Sequence, residues 1–90
     1  METIGENIRE KFIEYGLEDS IIFENPSYET AIIGYDVISN RIIYDYDKMI
    51  EYVVEHDHMT PDDAMDFISY NTLRALPYMK NGPIIIGLFE

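Results

Sequence analysis

The chain has no cysteine and no tryptophan. Without cysteine it builds neither a disulfide framework nor thiol chemistry, a composition compatible with the cytoplasm. Basic residues are scarce: six Lys and Arg stand against eighteen Asp and Glu, for a formal charge of −12. That deficit argues against direct binding of DNA, RNA or an anionic membrane through an electrostatic footprint. Long apolar runs are missing as well. No stretch approaches the roughly 20 residues of a transmembrane helix. The opening METIGENIREKF has no basic segment followed by an apolar one, so no secretory signal is expected. Only four serines occur, with no G-x-S-x-G motif around them. Gly34 and Gly87 are isolated, so no phosphate-cradling loop exists. These absences lead to the expectation of a non-enzymatic, cofactor-free protein.

What the chain does have is apolar and aromatic matter. Hydrophobic residues make up 47% of its 90 residues, and eight residues are tyrosine. That is enough for one modest core, and it outweighs the charge as a signal against disorder. A single domain over residues 1–90 is expected.

The clearest local signals lie in residues 44–77, YDYDKMIEYVVEHDHMTPDDAMDFISYNTLRALP. They predict two helices joined by a tight corner. Thr60 is a good N-cap, Pro61 suits the first helical position, and Asp62 and Asp63 fall where the helix dipole favours carboxylates. Pro77 is expected to stop this second helix. At helical pitch Ala64, Met65, Ile68, Ala75 and Leu76 share the core-facing arc, with Phe67 at its border. Asn71 and Thr72 fall within that arc, where an unpartnered buried amide would cost about 1–3 kcal/mol. Tyr70 and Leu73 project away from it. The first helix of the pair covers residues 47–57, capped by Asp45 or Asp47. It buries Met49, Ile50, Val53 and Val54 and turns Lys48, Glu51 and Glu55 to water.

Residues 3–15 predict another helix. Thr3 and Glu6 have capping-box spacing, Ile4, Ile8, Phe12 and Tyr15 form a narrow stripe, and Gly16 is the C-terminal cap. Strands are expected at residues 20–24 (SIIFE), 30–35 (TAIIGY), 41–44 (RIIY) and 84–89 (IIIGLF). Gly34 marks a bulge or a close backbone approach. The loop at 36–40 reads as a polar surface connection. The last strand is apolar on both sides, so cover on both faces or burial between two copies is expected. The order α-β-β-β-α-α-β points to an α+β fold, a mainly antiparallel sheet with helices on one face.

His56-Asp57-His58 holds two metal-type ligands, but alternate residues at a helix end do not converge and no third ligand is set by spacing. A solvated helix terminus accounts for the cluster. Asp45-x-Asp47 and Asp62-Asp63-x-x-Asp66 lack the glycine and terminal glutamate of a calcium loop, and caps and first-turn acids explain both. No metal is expected. The tyrosines lack the basic groove that accompanies base stacking, so core and interface roles are the better account.

The acidic residues form rows. Glu6, Glu10 and Glu14, then Glu51 and Glu55, then Asp62 and Asp66 each recur at four-residue spacing, about 6 Å along a helix. Such rows match a nucleic-acid backbone in sign and spacing, and they suit the basic groove of a nucleic-acid enzyme. Ordinary solvated helix faces produce the same pattern.

The runs YDYDKMIEY, the MT turn with the following AMDF, and YNTLRALPY resemble a group of small acidic uncharacterised proteins of Firmicutes prophages and mobile elements. The resemblance covers residues 27–88 and transfers no catalytic residues. It implies a setting in which short acidic phage proteins act as accessory factors, some of them inhibiting host defence nucleases, anti-CRISPR proteins included. The combined expectation is an acidic protein-binding module in a host cytoplasm, with a basic protein partner such as a host nuclease. Its contacts would be the acidic rows, with Tyr52, Tyr70 and Leu73 as apolar anchors. The alternative is a homo-oligomeric structural or regulatory module, a homodimer formed through the last strand.

Overall fold

The computed structural model describes residues 5–89 and gives an α+β fold. Its elements are α1 (Glu6–Glu14), a 3-10 turn (Glu29–Ala31), β1 (Ile32–Tyr35), β2 (Ile42–Asp45), α2 (Tyr46–Asp57) and α3 (Pro61–Ile68). A π-helical turn (Ser69–Leu73), a second 3-10 turn (Leu76–Tyr78) and β3 (Ile84–Ile86) complete it.

The caps follow from the residues that form them. Gly16 adopts φ +72°, and its N–H donates to the Ile13 carbonyl at 3.2 Å while Leu17 N–H donates to the Phe12 carbonyl at 2.6 Å. This is a Schellman stop, with Leu17 and Phe12 as its apolar pair. At its other end α1 begins after Gly5, whose N–H donates to Glu29 Oε2 at 2.7 Å. Thr3 and Ile4 lie outside the described residues. Asp45 caps α2 by accepting from Asp47 N–H at 3.0 Å, and Thr60 caps α3 by accepting from Asp63 N–H at 3.2 Å.

β1 and β2 pair antiparallel, with Ile32 opposite Tyr44 but Gly34 opposite Ile43. Ile33 is therefore the extra residue of a β-bulge, and an added Cβ at Gly34 would meet nothing within 4 Å. The glycine marks the bulge and not a close approach. β3 pairs parallel to β2 in the order β1-β2-β3, so the sheet is mixed where a mainly antiparallel one was expected. The cause is the connection. α2 and α3 form a crossover that returns the chain to the starting end of β2, which parallel pairing requires.

Three other expectations are corrected. Residues 20–24 form no strand. Phe23 is buried, and its N–H donates to the Tyr44 hydroxyl at 3.1 Å instead of joining a ladder. The last strand stops at Ile86 because its register partner Asp45 ends β2, and α2 starts at the next residue. Ile84, Ile85 and Ile86 are each half-buried, not covered on both faces, while Leu88 and Phe89 are exposed. The second helix of the pair also changes character after Ile68. A π turn takes more residues per revolution than an α turn, so of the two polar residues expected in the core-facing arc Thr72 stays buried and Asn71 rotates out. Asn71 is exposed and donates from Nδ2 to the Phe67 carbonyl at 3.0 Å. Met65 and Ala75 are exposed as well, and Pro77 sits inside a 3-10 turn.

The core is built on aromatic rings. Phe23 packs against Tyr28 and Tyr44 at centroid distances of 5.7 and 4.8 Å, and Tyr28 against Tyr52 at 5.7 Å. Ile42, Met49, Val53, Ala64 and Ile68 fill the space around them. Each of the three buried tyrosines has a hydroxyl partner: Tyr28 with Thr72 Oγ1 at 2.7 Å, Tyr52 with Ser27 Oγ at 3.2 Å, and Tyr44 with Phe23 N–H. Burial of a phenol is tolerable only on this condition. It also pushes the Tyr44 hydroxyl pKa up to about 12, since the anion would be desolvated, while the Phe23 N–H pulls the other way.

Candidate functional site

The π turn brings three of the sequence-predicted contact residues together. Asp66, Tyr70 and Leu73 line one shallow surface depression with Ser69 and Arg74. Tyr70 is 69% exposed, and the Arg74 guanidinium lies over its ring at 5.0 Å from the centroid. A cation over an aromatic face holds that ring in place. Leu73 is half-buried and packs on the core, so it forms the floor and Tyr70 the wall. Asp62 lies one turn before Asp66 on the exposed side of α3.

The other acidic residues lie on separate helices. Glu10 and Glu14 are exposed on α1, and Glu51 and Glu55 on α2, which packs against α3. Glu6 begins α1. Tyr52 is not available as an anchor. It is 4% exposed, and its ring stacks on His56 at 3.9 Å with 19° between planes.

That stacking also explains the histidine pair. The Tyr52 carbonyl accepts from His56 Nδ1–H at 2.8 Å, which fixes the ring along its own helix. His58 is the left-handed C-terminal cap of α2, at φ 55°. Each histidine therefore has a local structural role. Among the described residues, no group of three or more His, Cys, Asp or Glu is arranged to hold a metal ion. No helix among them is long and apolar enough to cross a membrane.

A second concavity, of about 280 Å³, separates α1 from the sheet. Phe12, Leu17, Ile32 and Ile42 line it, and Tyr15 and Tyr35 approach each other at 5.8 Å. Comparisons of the chain with known protein families, with curated proteins and with solved structures find no match.

Proposed function

We propose that the chain is a non-enzymatic acidic binding module, a phage-type inhibitor that occupies the basic groove of a host nucleic-acid-handling or defence enzyme. The observation that carries the reading is the exposure of Glu10, Glu14, Glu51, Glu55, Asp62 and Asp66 on three helices of a chain with a charge of −12. The depression beside Asp66, walled by Tyr70, adds an amphipathic contact of the kind enriched at interfaces. Such a charge pattern speeds encounter with a Lys/Arg-rich surface and makes binding salt-sensitive.

The test is a pull-down from a Firmicute host lysate at low and moderate salt, with partners identified by mass spectrometry. The expected result is one nuclease or DNA-binding protein, lost on raising salt and competed by duplex DNA. Replacing Glu51 and Glu55, or Glu10 and Glu14, by Gln should weaken the capture. A partner indifferent to salt, DNA and both substitution pairs would overturn the mimicry reading.

A second reading, self-association, is favoured by β3. It is an edge strand of half-buried isoleucines, followed by exposed Leu88 and Phe89. Unprotected apolar edges pair with other strands. Light scattering at micromolar concentration decides it: a monomer removes this reading.

A further inference from the structure

The most exposed of the large aliphatic side chains in the described chain are on the β1–β2 hairpin, not on a helix. Val37 is 77% and Ile38 90% exposed. Single exposed aliphatics need no explanation, but these two are adjacent and held on a fixed turn. The Asp36 carboxylate accepts from Ser39 Oγ–H, from Ser39 N–H at 3.2 Å and from Ile38 N–H at 3.5 Å. Asn40 N–H donates to the Asp36 carbonyl at 2.7 Å, and Asn40 closes the turn at φ 59°.

Two neighbouring segments brace the same hairpin. Ser20 Oγ donates to the Asn40 carbonyl at 2.9 Å, and Arg41 Nε donates to the Gly82 carbonyl at 2.6 Å. Three segments thus meet at one cleft, a polar one lined among others by Asp19, Ser20, Ser39, Asn40, Arg41 and Asn81. Rigid loops that display apolar groups are pre-organised for binding, because little side-chain and loop entropy remains to be lost.

We propose that the Val37–Ile38 tip is an apolar anchor that docks into a slot on a partner protein, a slot with an apolar floor and a Lys/Arg-rich rim. The rim follows from charge. Asp36 lies directly behind the tip, and at the adjoining cleft Asp19 and the exposed Glu18 outnumber the one cation that lines it, Arg41. The hydrogen bond from the Ser39 hydroxyl, with those from the Ser39 and Ile38 amides and the nearby Arg41 charge, keeps the Asp36 carboxyl below its usual pKa. Its charge therefore persists into mild acid. A net charge of −12 disfavours an anionic lipid surface as the occupant. The proposal rests on the basic-partner reading above and names a contact that reading did not contain.

The experiment places a benzoylphenylalanine photo-crosslinker at position 37 of the full chain, in Firmicute host lysate. Cross-linked peptides are sequenced, and the adduct is competed with unlabelled chains. The expected result is one adduct, on a peptide combining apolar residues with Lys or Arg. The native chain competes it, while Val37→Ser/Ile38→Ser needs about thirtyfold more, the scale of losing one hot spot. Both positions are exposed, so the double variant should keep the native thermal midpoint. Equal competition by the native and serine chains overturns the proposal. So does the absence of a competed adduct, a bait-to-bait adduct, or flotation of the native chain with neutral phosphatidylcholine vesicles. Two separate competitors, Glu51→Gln/Glu55→Gln and Glu10→Gln/Glu14→Gln, tell the two readings apart. If both compete as well as the native chain while the serine variant does not, the helix-face reading fails and the tip stands.

Discussion

Replacing Tyr28 by Phe removes one hydroxyl from the bond that ties the π turn to the segment before β1. Tyr28 is fully buried and Thr72 is 5% exposed, so water does not replace the lost partner freely. Tyr28 also holds a left-handed backbone at φ 48°, a costly conformation for a bulky residue that surrounding contacts must enforce. The ring contacts with Phe23 and Tyr52 survive the substitution. The loss is therefore that of leaving the buried Thr72 hydroxyl without this bond, about 1–3 kcal/mol. At ~4–8 °C per kcal/mol for a domain of this size, the shift in midpoint is readily measured. Thr72→Val keeps the side-chain shape and removes the other hydroxyl. The double variant should be less destabilised than the sum of the singles, by about 1 kcal/mol of coupling, because both members of the pair leave together. Urea denaturation of all four chains, followed by circular dichroism, measures the cycle. Strictly additive single effects would refute the claim that this bond fastens the π turn to the core.

Three further outcomes are expected. Tyr44 should ionise only near pH 12, against a usual value near 10. Its pKa is raised in the fold, so the stability it contributes is complete below about pH 10 and is lost as pH rises towards 12; tyrosinate absorbance during alkaline titration should show a delayed component, coinciding with unfolding, that Tyr44→Phe reduces by one phenol. The Asp36 pKa is lowered, chiefly by the Ser39 hydroxyl, so its contribution is present above the usual carboxylate range and is lost as pH falls through the lowered value. Ser39→Ala should raise that pKa, as read from the Asp36 carboxyl shift by NMR, and an unchanged titration would contradict the hydrogen-bond assignment. Gly16→Ala meets no atom within 4 Å but must adopt φ +72°, so a loss of about 1–2 kcal/mol from backbone strain alone is expected in thermal melts.

The parts of the fold legible in the sequence are those where one residue decides one local geometry. Thr60 and Pro61 set a helix start by their own chemistry, Gly16 ends a helix by its tolerance of positive φ, and Gly34 marks the bulge. The misreadings have a common cause. Periodicity assumes a constant number of residues per turn, and the π turn after Ile68 breaks that assumption, keeping Thr72 in the core but turning Asn71 to the surface. Strand composition does not report whether a neighbour exists. SIIFE and the end of IIIGLF are both strand-like, yet Phe23 N–H is taken by a tyrosine hydroxyl and β2 has ended before Gly87 needs a partner.

The site was less legible than the fold because acidic residues lie outside whether or not they bind. Their exposure on α1, α2 and α3 follows from desolvation cost alone. The hairpin tip carries a different kind of signal. Val37 and Ile38 read as part of a polar loop because Asp36, Ser39 and Asn40 surround them in the sequence. Asp36 and Ser39 spend their side-chain hydrogen bonds on the turn itself and the Asn40 carbonyl is taken by Ser20, which leaves the aliphatic pair as the exposed surface. In the binding proposed above, the two features would act on different steps. Long-range attraction by exposed carboxylates would act on association and fade with salt, whereas burial of an apolar pair would act on dissociation and would not. Charge-neutralising variants should therefore slow association and flatten its salt dependence, while Val37→Ser/Ile38→Ser should speed dissociation at every salt concentration.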